Sequence, residues 1–224
     1  MKRLTRKQLN NKGFSLIELI VTLAIITLMI GVTTLSYSLV KRTNVAKSNE
    51  YIKEAFSVCR QNAMSVNAYE WNVTLLENEI QVRKITRTEK GTEVITDSEG
   101  KSYTQTTYDY VTELVQSYVL PELVKETVTL SDGSLIWNGA AEKAEGESGG
   151  EDNTVAITFV FSPLSGKISG IYADSAAQGD SSTRKSAIGE DASITYFDVE
   201  SSYSTRTDKI RVYTSTGKVI KVDK

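Results

Sequence analysis

The sequence predicts an α+β protein in which one long N-terminal helix packs on an antiparallel β-sheet, and three observations lead there. An apolar run of twenty-seven residues, Phe14–Val40, is interrupted by a single charge, Glu18. Beyond it a helical stripe of apolar side chains continues to about residue 68. From Trp71 onward the hydrophobic period shortens from 3.6 residues to 2, which is the strand period.

Composition narrows the chemistry. The 224 residues include no His and one Cys, Cys59. That excludes Ser-His-Asp triads, Cys-His dyads, His-ligated metals and an intrachain disulfide framework. The formal net charge of -2 averages two unlike parts. Five of the 26 basic residues (Lys2, Arg3, Arg6, Lys7, Lys12) lie in residues 1–13, which hold no acid. The remainder carries 21 basic against 28 acidic side chains, a net of -7.

Residues 14–40 are long enough, as a helix, to cross a hydrocarbon core of about 30 Å. A secretory apolar region is shorter, about 7–15 residues, so a cleaved signal peptide fits poorly. Lys41, Arg42 and Lys47 follow the run. With five cations ahead of it and three after it, the positive-inside bias puts the N-terminus in the cytoplasm and the rest outside. Glu18 is the anomaly. An acid at the centre of a membrane helix costs on the order of 2.5–3.5 kcal/mol, and less near the interface. It is either an interfacial acid that snorkels or half of an ion pair made inside a protein–protein contact.

The segment KGFSLIELIVTLAII, residues 12–26, resembles the class III signal of type IV prepilins and pseudopilins. A basic leader ends in Gly, an aromatic follows, and a Glu sits four residues later in the apolar helix. The resemblance implies that a prepilin peptidase cuts between Gly13 and Phe14 and methylates the new amine of Phe14. The mature chain then keeps its anchor. Within one subunit that amine and Glu18 are offset by roughly 6 Å along the axis. In staggered parallel neighbours the Phe14 amine of one copy meets Glu18 of another. Opposite charges 4 Å apart attract by roughly 4 kcal/mol at an effective dielectric near 20, and either one left unpaired in a packed helical core is costly. The pair would therefore select register in assembly.

The domains expected are a cleaved leader, 1–13; a transmembrane helix, 14–40; its amphipathic continuation, 41–68; and an extracytoplasmic β-rich domain, 69–224. On the amphipathic part Val45, Ile52, Phe56, Cys59, Ala63 and Val66 form one stripe, and no proline precedes Pro121. Many relatives have a proline midway along the apolar stretch, and this chain has none there. Cys59 on that stripe reads as a small buried hydrophobe rather than a reactive thiol.

WNVTLLENEIQVRKI, residues 71–85, reads as a hairpin turning near Glu77–Glu79. Further strands are expected at Ser102–Tyr110, Val124–Leu130, Leu135–Trp137, Val155–Phe161, Lys167–Tyr172, Ile194–Glu200, Lys209–Tyr213 and Val219–Val222. Val111–Leu120 fits helix or strand. Residues 139–153 and 173–191 read as mobile loops. AFSVCRQNAMSVNAYEWNVTL, AITFVFSPLSGKISG and DKIRVYTSTGKVIKV are similar to segments of H-type pseudopilins and related minor pilins. That likeness, the absence of a C-terminal disulfide pair and the bulk of the domain favour a minor over a major subunit.

Other candidate chemistry has a plainer reading each time. Glu151-Asp152-Asn153 and Glu190-Asp191 offer oxygens to calcium but lack an EF-hand spacing, and so read as solvated loops. Arg83, Lys84, Arg87 and Lys90 form a basic cluster that would suit DNA phosphates, yet a net of -7 repels polyanions. A solvated strand edge, protected from edge-to-edge pairing, explains it better. Paired carboxylates are plentiful, but no local motif singles out a pair. SPLSGK (162–167) and TSTGK (214–218) each lack the full phosphate-loop pattern and lie between strands.

The expectation is a non-catalytic filament subunit without metal or cofactor. It would reside in membrane lipid before assembly and work with a prepilin peptidase, an assembly platform membrane protein and other pilins or pseudopilins, with nucleic acid an unlikely partner. The rivals are a membrane-tethered extracellular enzyme that keeps residues 1–13, and a DNA-uptake receptor pilin.

Overall fold

A computed structural model of the chain describes residues 15–65, 68–96, 98–139, 156–174, 186–187 and 194–222. It divides into two compact units, at Val40/Lys41.

A single helix, α1 (Leu16–Ser65), contributes to both units. In the first unit every side chain from Leu16 to Val40 is exposed. The hydroxyls of Thr22, Thr27, Thr33, Thr34 and Ser36 donate to carbonyls three or four residues back, at 2.9–3.1 Å. Hydroxyls satisfied within their own helix add little to the cost of an apolar surrounding. The helix is long and apolar enough to cross a membrane, which is consistent with membrane anchoring.

The second unit is the folded domain. Its part of α1 buries Val45, Ile52, Phe56, Cys59 and Ala63 completely, as the stripe predicted, and Val66 lies outside the described residues. The β-part forms two antiparallel sheets rather than the single sheet the pattern suggested. In order along the chain the strands are β1 (Glu70–Leu75), β2 (Glu79–Thr96), β3 (Ser102–Val119), β4 (Lys125–Leu130), β5 (Leu135–Asn138), β6 (Ala156–Phe161), β7 (Ile168–Asp174), β8 (Ser186–Ala187), β9 (Tyr196–Tyr203), β10 (Arg206–Tyr213) and β11 (Val219–Val222). The first sheet runs β3-β2-β1-β6-β7-β8 and the second β11-β10-β9-β4-β5. Chain neighbours mostly pair as hairpins, which is why local periodicity located nearly all of them. The crossovers β1–β6 and β4–β9 have no local signature.

One hydrophobic core joins the helix stripe to both sheets. Trp71, Val73, Leu75, Phe159 and Phe161 enter it from the first sheet; Val128, Phe197, Val199 and Val212 enter from the second. Phe159 stacks on Phe197 at 4.5 Å between ring centroids, so the sheets meet directly. On β1 the intervening Glu70, Asn72 and Thr74 are buried too, and Thr74 shares a 3.0 Å hydroxyl contact with its register partner Thr158.

One open alternative is settled and two expectations are corrected. Val111–Leu120 is strand as far as Val119: β3 is one 18-residue strand pairing with β2 along its length. Bulges at Val82/Arg83 and Glu89/Gly91 shift the alternation, and so hid the continuity from a period-2 reading. The segment 173–191 is not all loop, because β7 reaches Asp174 and Ser186–Ala187 pairs back on it. The basic cluster is not one solvated edge either. β2 lies between β1 and β3 as far as Ile85, and Arg83 is only 7% exposed there.

Candidate functional site

Gly13 and Phe14 lie outside the described residues, and Glu18 is the described part of the candidate site. The first turn of α1 positions it. Ser15 precedes the helix, its hydroxyl accepts the Glu18 N–H at 3.3 Å and its carbonyl accepts the Leu19 N–H at 3.2 Å. Ser15-Leu16-Ile17-Glu18 thus has the sequence spacing of a capping box, in which the N-cap hydroxyl satisfies an otherwise orphaned amide. An acid in the first turn is also favoured by the helix dipole. Sequence reading singles out Glu18 as a candidate by its charge in an apolar run but passes over the four-residue S-x-x-E pattern.

The other sequence candidates are dispersed or put to structural use. Lys84 reaches Glu113 at 4.0 Å, Lys90 reaches Asp109 at 3.4 Å, and Arg83 is buried, so the basic cluster offers no continuous phosphate track. Cys59 is fully buried; burial, then the nearby Glu70 charge, pushes its thiol well above the usual range and suppresses the thiolate. The acid-rich segments at 151–153 and 190–191 lie outside the described residues. Among the described residues no group of three or more His, Cys, Asp or Glu is placed to hold a metal ion. Residues 162–167 and 214–218 are the β6–β7 and β10–β11 turns, and they pack on the last turns of α1.

The buried acids serve the fold. Asp198 takes a bidentate pair from Arg211, at 2.7 Å from Nε and 3.0 Å from Nη2. Glu126 on β4 accepts from the Ser48 hydroxyl of α1 at 2.7 Å, and Ser201 on β9 lies 3.3 Å from both Ser48 Oγ and Asn49 Oδ1. This polar cluster fastens the helix to the second sheet between Val45 and Ile52 of the apolar stripe. Sequence gave no warning of it, because Ser48, Asn49 and Glu126 look like surface residues.

Burial drives the Glu126 carboxyl up to about 7, against the opposing pull of the Ser48 hydrogen bond. Its folded pKa exceeds its unfolded one, so the protonated acid contributes stability that is complete below about pH 4.5 and is lost as pH rises through about 7. Relative to Glu126→Gln, the wild-type chain is expected to lose about 2–3 kcal/mol across that window. Urea unfolding of both full-length proteins in detergent at pH 4.5 and 8 measures this, and parallel pH profiles would refute it.

Residues 8–34 match the family model for the prokaryotic N-terminal methylation motif. The match spans Gly13, Phe14, Glu18 and most of the apolar run, and it supports a type IV pilin-like prepilin signal. It points to a structural subunit rather than an enzyme. No curated protein and no solved structure gives a significant match to the chain.

Proposed function

We propose that this chain is a minor or initiating subunit of a type IV pilus-like filament, similar to the H-type pseudopilins. The observation that carries the proposal is the methylation motif over residues 8–34, with Glu18 in the first turn of an exposed apolar helix. A prepilin peptidase removes residues 1–13, cutting between Gly13 and Phe14 and methylating the Phe14 amine. Residues 14–40 hold the subunit in the membrane, with the cytoplasm on the side of the basic leader. Residues 41–68 carry the helix into the extracytoplasmic domain, 69–224. An assembly platform protein then draws the subunit into a filament among other pilins. The Glu18 carboxylate meets the Phe14 amine of a neighbour and fixes the stagger. The internally bonded hydroxyls of α1 ease both the lipid-embedded and the helix-packed states.

Two substitutions test the Glu18 role apart from its helix-capping role. Glu18→Gln suits the capping-box position but removes the charge, whereas Glu18→Ala removes both. Both variants are expected to stay in the membrane and to be lost from sheared filaments by roughly 100-fold or more, on the scale of a ~3–5 kcal/mol penalty for one unpaired buried charge. If Glu18→Gln enters filaments as wild type does, the charge does not set register. N-terminal sequencing of the protein from cells tests processing: a start at methylated Phe14 supports the proposal, and a start at Met1 favours a membrane-tethered extracellular protein.

A further inference from the structure

The folded domain begins at Lys41, directly after Val40, the last residue of the apolar run. Contacts within the domain fix which of its ends Lys41 occupies. Ser48 of α1 meets Glu126 on β4 and Ser201 on β9. Seven residues earlier on the helix, Lys41 Nζ stands 5.6 Å over the ring of Tyr203, two residues further along β9. Toward its N-terminus α1 thus follows β9 to the end where Lys125, the first residue of β4, pairs with Ser202. The β9–β10 turn, the β3–β4 loop and the β1–β2 turn gather there, the last two joined by the Leu120 N–H donating to the Asn78 carbonyl at 2.9 Å.

Glu77, Leu123, Val124, Lys125, Tyr203 and Ser204 line a cleft of about 650 Å³ among these turns. Leu123 is its anomaly. The Val124 N–H donates to the Pro121 carbonyl at 3.4 Å, and the turn so closed holds Leu123 at φ +67°, a conformation that turns usually give to glycine. Packing does not offset that strain, because the side chain is 70% exposed. Val119, at the end of β3, is 73% exposed as well. The charge around them is the reverse of the chain's. Lys41, Arg42, Lys125 and Arg206 stand at this end against Glu77 and Glu122, while Glu79 accepts from the Ser117 hydroxyl and Glu126 is buried. Beyond residue 13 the chain as a whole has 21 basic against 28 acidic side chains. At physiological salt exposed charges are screened beyond about 8 Å, so a nearby surface feels the local excess rather than the net charge.

We propose that this end of the domain docks on the phospholipid surface that residues 14–40 enter. Leu123 inserts below the headgroups, Tyr203 lies at their level, and Lys41, Arg42, Lys125 and Arg206 face lipid phosphates. Chain continuity selects that occupant. An apolar run that ends at Val40 in lipid leaves no linker between the headgroups and Lys41. Charge agrees with it, because a cationic rim around an exposed leucine matches the anionic and apolar layers of one surface. The inference rests on the reading of residues 14–40 as the membrane segment and adds to it a contact made by the folded domain before assembly.

The test uses full-length protein in vesicles of phosphatidylcholine and phosphatidylglycerol with brominated acyl chains. Thr205→Cys, in the β9–β10 turn, carries an environment-sensitive fluorophore; the buried Cys59 does not compete for it. Leu135→Cys, exposed at the opposite end of β4, is the distant control. The expected result is lipid quenching at residue 205 and none at residue 135. Adding Leu123→Gly, which suits the positive φ and so preserves the turn, is expected to lower the ratio of docked to undocked protein roughly 5- to 30-fold. Adding Lys125→Gln and Arg206→Gln is expected to abolish the gain in quenching that phosphatidylglycerol gives over phosphatidylcholine alone. Quenching that is absent at residue 205, equal at both positions, or unchanged by Leu123→Gly overturns the proposal. So does shielding of residue 205 that rises with protein concentration and not with lipid bromination, which assigns the face to another protein. Flotation with the vesicles reports the membrane segment separately. Protein that floats without quenching overturns the docking alone, and protein that does not float overturns both readings.

Discussion

Replacing Gly217 by alanine is expected to cost more than about 4 kcal/mol, enough to empty the folded state of a marginally stable domain. The β10–β11 turn holds Gly217 at φ +62°, where a side chain costs roughly 1–2 kcal/mol by itself. The larger part is steric. A Cβ at Gly217 falls 2.1 Å from the Gly166 carbonyl oxygen and 3.0 Å from Phe161 Cε1. The oxygen belongs to the β6–β7 turn, which has little freedom to retreat. Leu164 N–H donates to the Ala63 carbonyl at 2.8 Å, Gly166 N–H to Ser162 at 3.1 Å, and Ile168 N–H to the Thr214 carbonyl at 2.9 Å. Arg60 Nε ties the other turn to the helix through the Thr216 carbonyl at 2.7 Å. Two turns, one from each sheet, are therefore clamped together against the last turns of α1. Gly133 is the control: at φ +88° with open space around it, its alanine variant loses only the backbone contribution of about 1–2 kcal/mol. Urea unfolding of both full-length variants in detergent separates the two effects. Equal losses would mean that the turns do not approach as closely as described.

That clamp shows where sequence reading stops. SPLSGK and TSTGK were recognised as glycine-containing connections between strands, yet nothing in either segment says that they touch. They lie in different sheets, and their contact depends on the crossover that sets β6 beside β1. The helix stripe from Val45 to Ala63 was legible because a 3.6-residue period is a local property, and every described member of it is buried. The β1–β2 hairpin was legible for the same reason. Register was not. Bulges at Val82/Arg83 and Glu89/Gly91 broke the alternation that would have marked β2 and β3 as one long ribbon. Identity alone misled at Arg83, a charged residue placed mid-sheet by its neighbours, and at Ser48, Asn49 and Glu126, which are buried with Ser201 as Ser48 bonds to Glu126 and Asn49 to Ser201. In the candidate site Glu18 stood out because an acid in an apolar run is expensive, whereas the contact of the Arg87 guanidinium with the rings of Tyr69 and Tyr108, at 4.8 and 4.1 Å, required a fold.

Phe56→Ala is the second large effect, with an expected loss of about 3–5 kcal/mol. Phe56 is fully buried at the point where the helix meets both sheets. Its ring lies 5.1 Å from Phe159 and 6.1 Å from Phe161 on the first sheet, and 5.8 Å from Phe197 on the second. Truncation forfeits these edge and tilted ring contacts along with the transfer energy of the side chain. The surroundings cannot close over the hole, because Phe159 and Phe197 already stack on each other and are fixed by separate sheets. Phe56→Leu refills part of the volume and should lose less than half as much. Met64, eight residues along the same helix and 38% exposed, provides the comparison, since Met64→Ala is expected to change stability by under about 1 kcal/mol. The contrast tests the architecture as well as the residue. If α1 were held to the domain chiefly by its polar cluster at Ser48, Asn49 and Glu126, Phe56→Ala would destabilise little and Ser48→Ala would dominate. If the aromatic contacts hold it, Phe56→Ala frees the helix from both sheets at once, and the chain's abundance in cells falls with it.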